Sequence, residues 1–231
     1  MQFKTCKISE IIDLYPKLFE SLRKYYPFEI TKDKKDYYNF NGLKLLNSII
    51  ETNIISEQQF HDKWVKGFLD KIHNSTNYKI IGATYGIVPN IGGRIILEEN
   101  QDHTLELHFF VSLIENYYSI QIVKICEIQY YNSYLKIIKS GKGLKEIYVS
   151  PPDNKYGELF NKIDNFICSE LNGAKFLPFR FDLVRIENFQ VFYKDTIDYS
   201  TISDCFFHKG FLYDKDCSIF GDIDYKISYL K

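Results

Sequence analysis

Hydrophobic positions in the first third of the chain recur at spacings of three and four. Leu14, Leu18, Phe19, Leu22 and Tyr26 predict a helix with Asp13 as its cap, Pro16 in its first turn and Pro27 closing it. Leu43, Leu46, Ile49 and Ile50 predict a second, short helix over 42–51. The strongest helical pattern follows. Ser56 and Gln59 stand at capping-box spacing, and Phe60, Trp64, Val65, Phe68, Leu69 and Ile72 then form one apolar stripe, expected to pack into a core.

From Tyr78 the period shortens. Residues 78–86 and 94–99 are short β-like runs separated by Pro89 and the Gly92-Gly93 pair. Residues 104–113 and 117–130 are longer runs, with Glu115-Asn116 as a tight turn between them. Alternation places Leu105, Leu107 and Phe109 on one face of the first. In the second, Ile120, Ile122 and Lys124 share one face while Gln121, Val123 and Ile125 share the other. A central strand covered in part on both sides, within an antiparallel meander, is the expectation. Ser140-Gly141-Lys142-Gly143 predicts a break, followed by a strand over 145–149.

Asp153 or Asn154 then caps an amphipathic helix near 154–171, with Tyr156, Leu159, Phe160, Ile163, Phe166 and Ile167 as its apolar face and Asn172-Gly173 as its stop. Four β-like stretches follow, at 175–184, 189–194, 203–212 and 219–230. N-terminal helices, a largely antiparallel sheet, one further helix and C-terminal strands define an α+β class rather than a doubly wound parallel fold. We expect a single domain over 1–231, with 140–154 as the place where two subdomains would meet.

Composition narrows the function classes. The 231 residues suffice to bury about 70 % of the unfolded surface without disulfides or metals. Tyr and Phe contribute 19 residues each, whereas Arg is confined to Arg23, Arg94, Arg180 and Arg185 and Ala to Ala83 and Ala174. An AT-rich coding sequence produces this bias, and it accounts for the aromatics before any binding site is invoked. A formal net charge of -1 disfavours DNA and RNA, whose phosphates demand an excess of basic residues. No stretch approaches the roughly 18 apolar residues of a membrane span, and the residues after Met1 lack the apolar core of a secretory signal. Cys6, Cys126, Cys168, Cys205 and Cys217 are odd in number and widely spaced, so free thiols in a reducing cytoplasm are expected.

Local motifs for chemistry are weak. The glycines of 82–93 lack the spacing of a dinucleotide or phosphate loop. His61 and His73 point about 120° apart on one helix. His103 and His108, and likewise Cys205 and His208, fall on opposite faces of extended chain. No cofactor is expected. The carboxylates carry more weight: between Asp195 and Asp224 lie seven acids against Lys209 and Lys215. Asp214 with Asp216, and Asp222 with Asp224, share a face if extended. Such pairs serve as turn residues, as a cation or acid–base site, or as an acidic surface for a basic protein. Tyr117 and Tyr118 lack the Arg that accompanies base stacking and suit a protein interface better. The partner-binding set is therefore Asp214, Asp216, Asp222, Asp224, Tyr117 and Tyr118. Two alternatives remain: a metal-assisted hydrolase using Asp222 and Asp224, and a single-stranded nucleic-acid binder using Tyr with Lys136 to Lys145.

The stretch Leu105 to Val123, Leu-Glu-Leu-His-Phe-Phe-Val-Ser-Leu-Ile-Glu-Asn-Tyr-Tyr-Ser-Ile-Gln-Ile-Val, resembles uncharacterised small bacterial proteins, some of them immunity proteins of secreted antibacterial toxins. The resemblance implies a cytoplasmic, non-enzymatic α+β domain that neutralises a cognate toxin by stoichiometric binding over its active site. It carries over no functional residue.

Overall fold

A computed structural model describes residues 2–28, 30–84, 86–131, 137–194, 199–211 and 213–230; the side chains of 128–131, 137–142, 213–215 and 229 lie outside the description. The α+β expectation is met by helices on a mixed seven-stranded sheet, with a separate two-stranded sheet. Strands are β1 (Lys4–Cys6), β2 (Ile81–Gly82), β3 (Asn90–Glu99), β4 (His103–Ser112), β5 (Tyr117–Tyr131), β6 (Ile137–Tyr148), β7 (Lys175–Phe176), β8 (Val184–Ile186) and β9 (Tyr213–Phe220). The main sheet runs β2-β3-β4-β5-β6-β9, antiparallel through β6 and parallel between β6 and β9, while β7 adds to β5 in parallel. β1 and β8 pair in parallel as the small sheet.

The helices are α1 (Ile8–Leu14), α2 (Pro16–Arg23), α3 (Lys35–Asn39), α4 (Asn41–Ile50), α5 (Glu57–Gln59), α6 (Asp70–Thr76), α7 (Gly157–Glu170) and α8 (Arg180–Leu183). Asp13 lies inside α1 rather than capping α2, which starts with Pro16 at its first turn. Ser56 occupies the N-cap position of α5 in extended conformation, yet its side chain makes no capping bond. The predicted stripe over 60–72 is wound more widely than an α-helix. Phe60–Leu69 is π-helical, as is Glu51–Ile55, and Ser56 N–H bonds the carbonyl of Glu51 five residues back at 3.0 Å.

β4 and β5 form the central hairpin, joined by residues 113–116, of which Glu115 and Asn116 have positive φ (57° and 53°). One sheet face presents Leu107, Phe109, Val111, Tyr118, Ile120 and Ile122 to α7 and to the 60–76 helical stretch. The opposite face carries Phe110 against the N-terminal helices and residues 177–207. Both faces of the hairpin are buried, as the mixed alternation of β5 predicts.

Two expectations fail on tertiary grounds. Ser140 to Gly143 is no break, because β6 runs through it in register with Cys126 to Gln129 of β5. The C-terminal strand series shrinks to β7, β8 and β9. Most of the described residues in 177–211 form an irregular cover, in which Phe179, Phe189 and Phe206 are buried outside any ladder.

Gly93 sits opposite Phe109 across β3 and β4. A Cβ there would fall inside the van der Waals envelope of the Phe109 ring, which is fully buried. Gly93→Ala should lower stability by about 1–3 kcal/mol, the usual penalty of overpacking. Urea denaturation checks it, and Phe109→Leu added to Gly93→Ala should recover part of the loss.

Candidate functional site

The six sequence-selected residues do not form one surface. Tyr117 and Tyr118 are each 1 % exposed, which removes them from any partner contact. The Tyr117 ring lies 4.5 Å from that of Phe206, and burial pushes its hydroxyl up to about 12. Tyr118 donates its hydroxyl to Asp164 Oδ1 at 2.7 Å, with Cys168 Sγ at 3.1 Å. Burial raises its pKa, and the neighbouring Cys168 and Asp164 add to the effect. Both tyrosines are structural.

Asp222 and Asp224 lie in a turn rather than a strand, so they do not stand side by side on one face. Asp222 Oδ1 accepts from the backbone N–H of Asp224 at 2.9 Å, fixing the turn. Both Asp224 carboxylate oxygens accept from the Arg180 guanidinium. Asp224 is thereby committed to a bidentate pair, and the two carboxylates present no shared cation site. Among the described residues, no group of three or more His, Cys, Asp or Glu is placed to hold a metal ion.

Asp216 and Asp222 remain at the surface. Asp214 lies on β9, but its side chain is outside the described residues. β9 is the last strand of the main sheet and pairs with β6 alone among the described strands. Its alternation is regular from Asp216: Cys217 and Ile219 turn to the core, while Asp216, Ser218 and Phe220 face out. Phe220 is 43 % exposed and stacks on Tyr148 of β6, with ring centroids 5.0 Å apart and planes at 21°. On the same side, Glu146 binds Lys124 Nζ at 2.9 Å and accepts from the Tyr148 hydroxyl at 3.4 Å. The result is a corner of open sheet with an aromatic centre and acids around it. Alternation in 219–230 was the signal available for Phe220; Tyr148 and Glu146 join it only through β6–β9 pairing.

A second polar group lies inside the sheet, facing the cover. Arg94, His108 and Gln121 are cross-strand neighbours on β3, β4 and β5. Glu106 Oε2 accepts from His108 Nε2 at 2.7 Å, and Arg94 Nη1 donates to the same carboxylate at 3.0 and 3.1 Å. Burial pushes the His108 pKa down, and the pull of Glu106 does not offset it. Burial alone would raise Glu106, but His108 and Arg94 together hold it below the ordinary value. His108 is therefore neutral near pH 7, with its proton on Nε2, and Arg94 is the cation that balances Glu106. Farther along the same face, Lys209 Nζ donates to Asp182 Oδ2 at 2.9 Å and Ser119 Oγ at 3.3 Å, with both charged side chains at least 93 % buried. Burial lowers Lys209 and raises Asp182, each partly countered by the other. The first group lies within the sheet and the second within the cover, and the bond from Lys209 to Ser119 of β5 joins the two layers.

No protein-family model, no curated protein and no solved structure matches the chain.

Two outcomes follow for the buried groups. Unfolded His108 takes up a proton near its ordinary value of 6.5, whereas folded His108 does so only at lower pH. The unfolded state thus binds more protons in that window, and stability falls as pH drops below about 6.5. His108→Gln should flatten that slope in thermal melts between pH 7 and 5. Lys209→Met strands the Asp182 carboxylate in the core and should cost about 3–5 kcal/mol, most of it restored in Lys209→Met/Asp182→Asn, as read by urea denaturation.

Proposed function

We propose that this chain is a protein-binding module that meets a basic partner surface through the β9 corner of its main sheet. One observation supports the reading above others: the edge strand β9 carries Asp216 and the 43 % exposed Phe220, itself stacked on Tyr148. A half-exposed aromatic pair supplies the apolar centre typical of an interface hot spot. Acids around it raise the association rate with a cationic partner, and an edge strand offers backbone groups to an incoming chain. The bland alternative, acids that merely keep an edge strand from aggregating, explains Asp216 but not an exposed Phe beside it.

The particular role we favour is neutralisation of a cognate bacterial toxin in the cytoplasm, by stoichiometric binding without catalysis. Its basis is the resemblance of Leu105–Val123 to immunity proteins, together with the acidic corner. That stretch forms the buried β4–β5 hairpin, so the resemblance speaks for the scaffold and not for the contact residues. Among the described residues no helix is long and apolar enough to cross a membrane.

Co-expression with the product of the adjacent gene should yield a one-to-one complex by light scattering and protect cells from that product. Asp216→Lys/Asp222→Lys should slow association by about tenfold at low salt and flatten its salt dependence. Phe220→Ala should chiefly speed dissociation, costing about 2 kcal/mol in affinity. Unchanged kinetics in both variants would remove the β9 corner from the interface.

A further inference from the structure

At the opposite edge of the sheet lies a cavity of about 280 Å³, between β2 and the π-helical segment. Its apolar wall is Phe60, Val65, Leu69 and Ile80, and its exposed rim is Asp70, His73 and Lys79. Two features of the chain open it. Gly82 is paired with Gly93, whose missing side chain points at Phe109, so the side-chain position of Gly82 also faces the helical layer. A Cβ built on Gly82 meets nothing within 4 Å, and Gly82 has no positive φ. The wide π-helical segment Phe60–Leu69 forms the facing wall.

We infer that this cavity binds a small molecule with one apolar ring and a neutral head group that both donates and accepts hydrogen bonds, such as an aromatic carboxamide. Size sets the body: the volume accommodates a ring with a substituent, the ring against the apolar wall and the substituent toward the solvent-facing rim. The rim sets the head. Asp70 accepts and Lys79 donates, and their charges balance, which favours a neutral group over a carboxylate or an ammonium. His73 donates from Nδ1 to the Tyr78 carbonyl at 2.7 Å, leaving Nε2 as the ring nitrogen available at the rim. The site lies away from the β9 corner and does not depend on the protein-binding reading.

Benzamide is the probe. Titrated into the ¹⁵N-labelled full chain, it should produce saturable shifts at the amides of Leu69, His73 and Gly82. The indole of Trp64, the only tryptophan, should respond with them. Nuclear Overhauser contacts should join the benzamide ring to the methyls of Val65 and Ile80. Gly82→Leu fills the space and should weaken binding by about tenfold or more, close to 1.4 kcal/mol, with the rest of the spectrum unchanged. Benzoate and benzylamine should bind more weakly than benzamide. Absence of the Val65 and Ile80 contacts in the unmodified chain would overturn the site, whether or not the Gly82→Leu chain folds. Undiminished binding in a folded Gly82→Leu chain would overturn it equally, and tighter binding of benzoate or benzylamine would overturn the neutral head group.

Discussion

Buried backbone that belongs to no helix or sheet still has to be hydrogen-bonded, and that requirement governs the packing of this protein. The described residues of 177–211 pack over one face of the main sheet with little regular structure of their own. Side chains from elsewhere in the chain supply partners for them. The hydroxyl of Tyr26 donates to the Cys205 carbonyl and that of Tyr37 to the Gln190 carbonyl, both at 2.7 Å. Asn90 Oδ1 accepts from the His208 N–H, also at 2.7 Å. Tyrosine suits the task because its ring fills the core while its tip reaches a polar atom. The aromatic bias of the composition thus acquires a structural use, whatever its origin in the coding sequence.

The same constraint divides the sheet into a sealed middle and open ends. β4 and β5 are covered on both faces, with the Glu106–His108–Arg94 group on the sheet and the Lys209–Asp182 pair in the cover above it. One partner left without the other would be a stranded buried charge, and the Lys209–Ser119 bond and the His108–Phe211 ring contact join the cover to the sheet. The edges escape this double burial. β9 leaves Phe220 and Asp216 outside, and β2 leaves the space beside Gly82 unfilled. Candidate sites appear where the layers stop covering the sheet.

Local pattern reached the elements whose partners are near in sequence. The alternation of Leu105, Leu107 and Phe109, the Glu115-Asn116 turn and the apolar face of α7 all rest on contacts within a hairpin or a single helix. Residues whose fate depends on distant chain were misread. Tyr117 and Tyr118 looked available for a partner, yet Phe206 and Asp164 bury them. Asp224 looked like half of a carboxylate pair, and Arg180, 44 residues away, claims it. The apolar runs of the cover have strand-like spacing, but among the described residues only the short β8 finds a ladder, with β1. Of the acidic residues chosen from sequence, Asp216 and Asp222 remain at the surface. Tyr148 and Phe220 could be joined only by knowing that β9 lies beside β6.

That parallel pairing has a consequence for assembly. A parallel neighbour cannot be reached by a tight turn, so the chain must lay down α7 and the entire cover between β6 and β9. Bringing such distant segments together carries the entropy of closing a long loop. Pairing of β9 with β6 is therefore among the entropically costlier contacts of the fold. The stacking of Phe220 on Tyr148 thus depends on that long-range closure and not on any local turn.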